Sequence, residues 1–403
     1  MRFIRTENLK AGMRLAKPIY NKNGVLLYER NSQLTEAGIA SVNNFGLFGI
    51  YILEPAEPVP PLTREDLEFE QLQTVYMFKL RECVDLILQR KKLEPLYSFL
   101  QDILKHYGSL DHRVNFNQNL RSGDDFMYKH AISTAILIAM MTSRMHYSVP
   151  KQMTMVTAAL LYDIGYQYVP KATLEKGPNR TAEDKKLIQQ SLEQGLEYLS
   201  MYAGSYDFFP RALALIQAFV FADHPEKLSA APDKDLQYMV DMLRVAVQFD
   251  QITAMNVGYE PISEIMAMQQ LKNSPGLYHP DVVSTLAECI HIVPKAASVD
   301  LSTGDKGIVL VENTDDYLRP VILRLSDNQI YDLSIFRVHR EIQIVDIMKT
   351  MDNRIKVDEE TIKQFVPDEE LTKLTSRFRE GLRKAHERAR EAEPQPQSYD
   401  ARA

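Results

Sequence analysis

Tryptophan is absent from the 403 residues, and cysteine occurs only twice, at Cys83 and Cys289. Two cysteines cannot build a disulfide framework or a cysteine-rich zinc site, and they fit a reducing compartment. Positive charge is not in excess: 47 Lys and Arg stand against 54 Asp and Glu, a formal net charge of −7. A chain of that sign projects no global field toward nucleic acid or anionic lipid. With no tryptophan and no basic aromatic patch, no nucleic-acid interface is expected. Long apolar runs are missing too. The longest, Ala135 to Met141, falls far short of the ~20 residues that cross a bilayer. The opening MRFIRTENLK has no apolar core of a signal peptide. These absences predict a cytoplasmic protein with no membrane partner. Motifs of ready-made catalysis are also lacking: there is no Walker-type glycine loop, G-x-S-x-G, H-E-x-x-H or paired-cysteine motif.

What is present is an ordinary globular composition, 45% apolar and 25% charged, over a length that suits two or three domains. Residues 1–53 read as a small α/β module. GMRLAKPIY alternates like a strand, NKNG is a turn and VLLY a second strand; a short helix capped by Thr35 follows, and LFGIYIL closes the unit. Pro55, Pro58, Pro60 and Pro61 mark a semi-rigid linker. Over 63–107 the apolar residues Leu86, Ile87, Leu96, Phe99 and Ile103 recur at helical spacing. This second region, 54–112, reads as linker plus helical spacer, either packed on its neighbour or serving as the seam of a homodimer. Residues 113–297 are a series of helices around one apolar on nearly every face, FMYKHAISTAILIAMMTSRM. Residues 298–347 contain two strand–turn–strand units, a β appendage. Residues 348–403 form a charged helical tail with a Pro/Gln-rich, disordered end. The predicted class is mainly α.

The helical region carries KHAISTA and, about thirty residues on, AALLYDIGYQYVPKATLEKGPNRT, then LIQQSLEQG, AVQFDQITA and GYEPIS. This order resembles the HD-GYP branch of the HD phosphohydrolase superfamily, whose motifs run H-S, A-L-L-H-D-I-G-K, I-x-x-H-P-x-x-G and A-D-x-F-D-A-L-T. The opening L-K-A-G-M and G-I-Y-I of residues 1–53 resemble a module found ahead of such domains, so the likeness spans most of residues 1–335. It implies an all-α HD-type core and, in active members, hydrolysis of cyclic di-GMP by a hydroxide bridging two or three iron- or manganese-type ions. Clustered cations lower the pKa of bound water and neutralise phosphoryl charge, so the chemistry stands or falls with the ligand set.

Matched position by position, the resemblance leaves two metal-site residues, His130 and Asp163. Tyr162 replaces the histidine of the HD pair, and a phenol of pKa ~10 is a poor ligand near neutrality. Ser191 replaces the histidine of H-P. Ala218, Phe219 and Val220 fall on an H-H-E run, and Val247 on the first aspartate of A-D-x-F-D, leaving Asp250. DHPEKL stands at the G-Y-P loop, Tyr166 at a phosphate-contacting lysine and Glu260 at an arginine. Lys176 matches the lysine of a K-P-G loop and is a candidate phosphate contact, whereas Lys171 and Arg180 read as loop cations. His130 reads as a core histidine hydrogen-bonded to Asp163, and His224 as a surface residue. The expectation is a degenerate HD-GYP-like bacterial signalling protein with no metal, no cofactor and no catalytic residue, acting on a protein partner. The alternatives are a cyclic di-GMP receptor and a residual phosphohydrolase rebuilt around Asp163, Asp223 or Asp250.

Overall fold

A computed structural model describes residues 2–20, 25–53, 63–256, 259–274 and 276–347. The expected NKNG turn, the proline-rich linker and the charged tail lie outside these residues.

The N-terminal module is built on β1 (Arg2–Arg5), β2 (Arg14–Leu15), β3 (Ile19–Tyr20), β4 (Leu26–Tyr28), α1 (Glu36–Asn44) and β5 (Gly49–Leu53). β5 is central in an antiparallel sheet of order β1-β5-β2, and β3 pairs with β4 in a separate ribbon. The GMRLAKPIY stretch is thus not one strand. It breaks at Lys17 and Pro18, where proline has no N–H to give a ladder and the buried Lys17 Nζ donates to Gln118 O at 2.9 Å. Thr35 caps α1 as its sequence implies, accepting from Gly38 N. Gly46, at φ +63°, turns the chain into β5 in the left-handed region that glycine tolerates.

Eight helices of the main body follow in order: α2 (Arg64–Leu88), α3 (Pro95–Tyr107), α4 (Phe126–Arg144), α5 (Val149–Leu161), α6 (Lys171–Glu175), α7 (Ala182–Ser200), α8 (Phe209–Val220) and α9 (Lys234–Thr253). α10 (Glu264–Lys272) and α11 (Pro280–Cys289) complete the helical set before the sheet. α4 is the axis, packed on by α2, α3, α5, α9 and α11, and its residues Ala135–Met141 are all buried. Each such Ile or Leu removed from water contributes about 1.5–3 kcal/mol, which is why the helix needs no polar face. Helices α2 and α3 are not held apart as a spacer. Their Tyr76, Leu80, Leu96, Phe99 and Ile103 lie in the same apolar cluster as α4 and α5.

The C-terminal strands β6 (Ser298–Leu301), β7 (Lys306–Val311), β8 (Val321–Arg324) and β9 (Gln329–Asp332) are followed by α12 (Phe336–Glu341) and β10 (Ile344–Ile347). They form one antiparallel sheet of order β10-β6-β7-β8-β9. The two expected hairpins are β6–β7 and β8–β9; β10 returns to pair with β6. Val299, Val309, Ile322 and Ile347 join the main core. The chain is mainly α, with a helical body, a small N-terminal α/β module and a C-terminal sheet.

Candidate functional site

α5 delivers Tyr162 at its C-terminal end, and the chain then tightens into a 3-10 turn, Ile164–Tyr168, with Asp163 at its start. This turn can lie against α7 only because both surfaces lack a side chain. A Cβ on Gly165 would come within 2.2 Å of Ser191 O, and one on Gly195 within 2.7 Å of Gly165 N.

The centre of the arrangement is His130 on α4. Its Nδ1 bonds the Asp250 carboxylate on α9, and its Nε2 lies 2.5 Å from the Tyr162 hydroxyl. Arg121, in the segment before α4, donates to both Asp250 oxygens at 2.7 and 2.8 Å. Arg121 and Asp250 are 1% and 0% exposed. Burial would raise the Asp250 pKa, but the charges of Arg121 and His130 and their hydrogen bonds outweigh it, and the pKa is lowered. Burial and the neighbouring Asp163 push the Tyr162 phenol well above its ordinary pKa. An ionised Asp250 only accepts, so Nδ1 carries hydrogen, and the Tyr162 hydroxyl is the hydrogen-bond partner of Nε2.

The expected His130–Asp163 hydrogen bond is not made. Asp250 takes that place because Arg121 fixes a full negative charge beside the ring, whereas Asp163 sits past the end of α5. Apart from its own backbone N–H, no described residue hydrogen-bonds the Asp163 carboxylate. Burial raises its pKa from 3.8 to about 7, against the opposing influence of His130.

The remaining positions divide cleanly. Phe219 packs edge-on to Tyr162 at 5.1 Å between ring centroids. Ala218, Val220 and Val247 are buried apolar side chains, with Val247 one turn before Asp250 on α9. Ser191 donates to Leu187 O within its own helix at 2.9 Å. Tyr166 packs with Val169, Leu174 and Ile188 in a separate small apolar cluster. Lys176 is tied to both oxygens of Asp184 at 2.7 and 2.8 Å, and Asp184 is the capping-box residue of α7. Arg180 donates to the carbonyls of Thr173 and Leu174. Asp223 and His224 are exposed, the latter beside Glu226. Glu260 lies on the surface, 3.9 Å from Arg5. Among the described residues no group of three or more His, Cys, Asp and Glu side chains is placed to hold a metal ion. Arg121 is the residue that sequence reasoning missed. Nothing in NLRSGDD distinguishes a buried counterion from a loop cation until α9 is placed against α4.

No protein-family model matches the sequence. It is 21% identical over 224 residues to the cyclic di-GMP phosphodiesterase PA4108 of Pseudomonas aeruginosa, covering 54% of this chain and 51% of that protein. The match thus spans about half the length of that relative. A solved structure, Bd1817, a HDG"Y"P protein from Bdellovibrio bacteriovorus, superposes with a TM-score of 0.42 at 13% identity, over 71% of this chain and 97% of that one. No helix among the described residues is long and apolar enough to cross a membrane. Its ordered motifs and its similarity to the phosphodiesterase mark the chain as an HD-GYP-like protein.

Proposed function

We propose that this chain is a catalytically degenerate member of cyclic di-GMP signalling, acting by binding a partner protein rather than by phosphodiester hydrolysis. One observation carries the reading: both nitrogens of His130 are already engaged by the protein. A metal needs the lone pair of a neutral imidazole nitrogen, and here the Tyr162 hydroxyl occupies Nε2. Arg121 supplies next to Asp250 the positive charge that a cation would otherwise supply. At the other matched positions stand a backbone-bonded serine, alanine, phenylalanine and valine, so the donor set does not fit a binuclear centre. The network keeps the fold closed around its former ligands, and recognition falls to the surface.

The test is elemental analysis of the purified chain after incubation with manganese or iron and desalting, alongside an assay with cyclic di-GMP. The expected result is metal far below one ion per chain and no hydrolysis, unchanged in Tyr162→His, because one restored imidazole leaves the other donors missing. Stoichiometric metal, or hydrolysis abolished by Asp163→Ala, overturns the proposal. A second reading, a cyclic di-GMP receptor, draws on the relative's substrate. It must do without Lys176, which is spent on Asp184, and with Tyr166 in place of a lysine. Calorimetry with cyclic di-GMP decides it: no heat at high micromolar ligand ends this reading.

A further inference from the structure

A cavity of about 130 Å³, sharing no residue with the His130 network, lies between the start of α2, the end of α3 and residues 110–115. Its walls include Phe69, Leu110 and Val114, and Glu65, Glu68 and Tyr107 also line it. That volume holds several waters, or a small organic ion in their place. Tyr107 is 4% exposed, with its ring edge-on to Phe69 at 5.8 Å. No described residue hydrogen-bonds its hydroxyl, and that oxygen is not among the side-chain atoms shut off from solvent. Burial first, then the charges of Glu65 and Glu68, raise its pKa. Tyr107 thus keeps its proton, and it lines the same cavity as Glu65 and Glu68.

Acidic residues in a first helical turn commonly serve the helix dipole. α2 has less need of them, because a capping box of Thr63 and Asp66 already satisfies its N-terminus. Glu65 and Glu68 are held instead by His112 and Arg64, each at 2.8 Å, through largely exposed contacts. Such pairs are worth about 0–1 kcal/mol, so either carboxylate exchanges partner at little cost. On the opposite side, His106 and Tyr107 at the C-terminal end of α3 line the cavity, and that end of a helix dipole favours a cation.

We propose that this cavity binds a primary alkylammonium group. The apolar stem lies along Phe69, Leu110 and Val114. The head directs its three N–H donors at Glu65, Glu68 and the oxygen of the protonated Tyr107 hydroxyl. A free alkylamine and the lysine side chain of a partner protein share this chemistry.

Saturation-transfer NMR on the full chain tests it, with n-butylammonium as the small-molecule probe and Nα-acetyl-lysine-N-methylamide as the peptide probe. Neutral n-butanol and anionic n-butyrate serve as comparators. The expected result is transfer to either ammonium at millimolar concentration, weakening with added salt, and little to the comparators. Glu65→Gln/Glu68→Gln weakens binding about tenfold or more. Tyr107→Phe weakens it with an unchanged thermal transition, which separates a ligand contact from a role in folding. Tighter binding of the lysine amide points to a protein partner, and tighter binding of butylammonium to a free amine. No transfer to either ammonium, equal transfer to n-butanol, or binding indifferent to all three substitutions overturns the proposal.

Discussion

Arg121 and Asp250 form an ion pair with almost no access to water, and that setting makes its two halves unequal to their sum. Removing one partner leaves a buried charge alone, a cost of about 3–5 kcal/mol, whereas replacing both with apolar residues of similar volume is often near neutral. Arg121→Met should therefore lower stability to urea by an amount in that range, and Arg121→Met/Asp250→Leu should recover much of it. A loss in the double variant equal to the sum of the Arg121→Met and Asp250→Leu losses would show that the pair is not coupled. Asp163 gives a pH signature. Its folded pKa of about 7 lies above the 3.8 of the free carboxyl, so the folded chain holds an extra proton between those values. Its stabilising contribution is complete below pH 3.8 and lost as pH rises through 7. The loss is roughly 1–4 kcal/mol. Asp163→Asn should remove that slope from unfolding curves collected across the interval and should be the more stable form at pH 8. A bound metal would hold Asp163 ionised and erase the slope in the parent chain as well, so the same curves bear on the metal-free reading.

Among the elements, the contact of α7 with the 3-10 turn after α5 is the tightest constraint near the site. Gly165 and Gly195 face each other there, and the first atom a side chain on Gly165 would meet is backbone, Ser191 O. Backbone cannot swing aside as a side-chain tip does, so α7 must shift. Gly165→Ala should cost about 1–3 kcal/mol or more, with a lower melting temperature as the readout and a larger effect than Ala at exposed Gly204, which meets nothing within 4 Å. The helix boundaries themselves were legible locally. Thr35 accepts the expected N-terminal hydrogen bond, and Thr181 and Asp233 cap their helices in the same way, because capping depends on residues three apart and not on the fold. The partition of GMRLAKPIY between two sheets was not legible: β2 is selected by pairing with β5, some forty residues away.

Over the whole molecule, the extent of the core decides which pieces can stand alone. The main apolar cluster runs from Phe69 in α2 to Ile347 in β10. The N-terminal module has its own cluster, which borrows Leu120 and Met255 from the helical body. A chain truncated to start at residue 113 strips α2 and α3 from the faces of α4. It should lose its cooperative unfolding transition and bind a hydrophobic dye. A chain starting at residue 54 uncovers far less and should keep that transition. The module nevertheless grips the segment that carries Arg121: Phe48 N donates to Arg121 O and Gly123 N to Gly46 O, both at 3.2 Å, beside the Lys17–Gln118 bond. Removal of the module should therefore loosen the His130 network before it unfolds the body, visible as faster amide exchange at 118–123.

The sequence by itself determined the mainly α class, the order of helices, the two hairpins after residue 297 and the identity of the residues standing at His130, Tyr162, Asp163, Ser191, Ala218, Phe219 and Val247. Periodicity, capping and motif order are local properties, written in neighbouring residues. Only the tertiary structure decided what those residues do to one another. His130 faces Asp250 and Tyr162 instead of Asp163, Lys176 is paired with Asp184, and Arg121 serves as the buried counterion of an aspartate 129 positions away. A charge buried at low dielectric takes whichever opposite charge the packing of helices brings within reach, and that choice belongs to the arrangement of α4, α5 and α9.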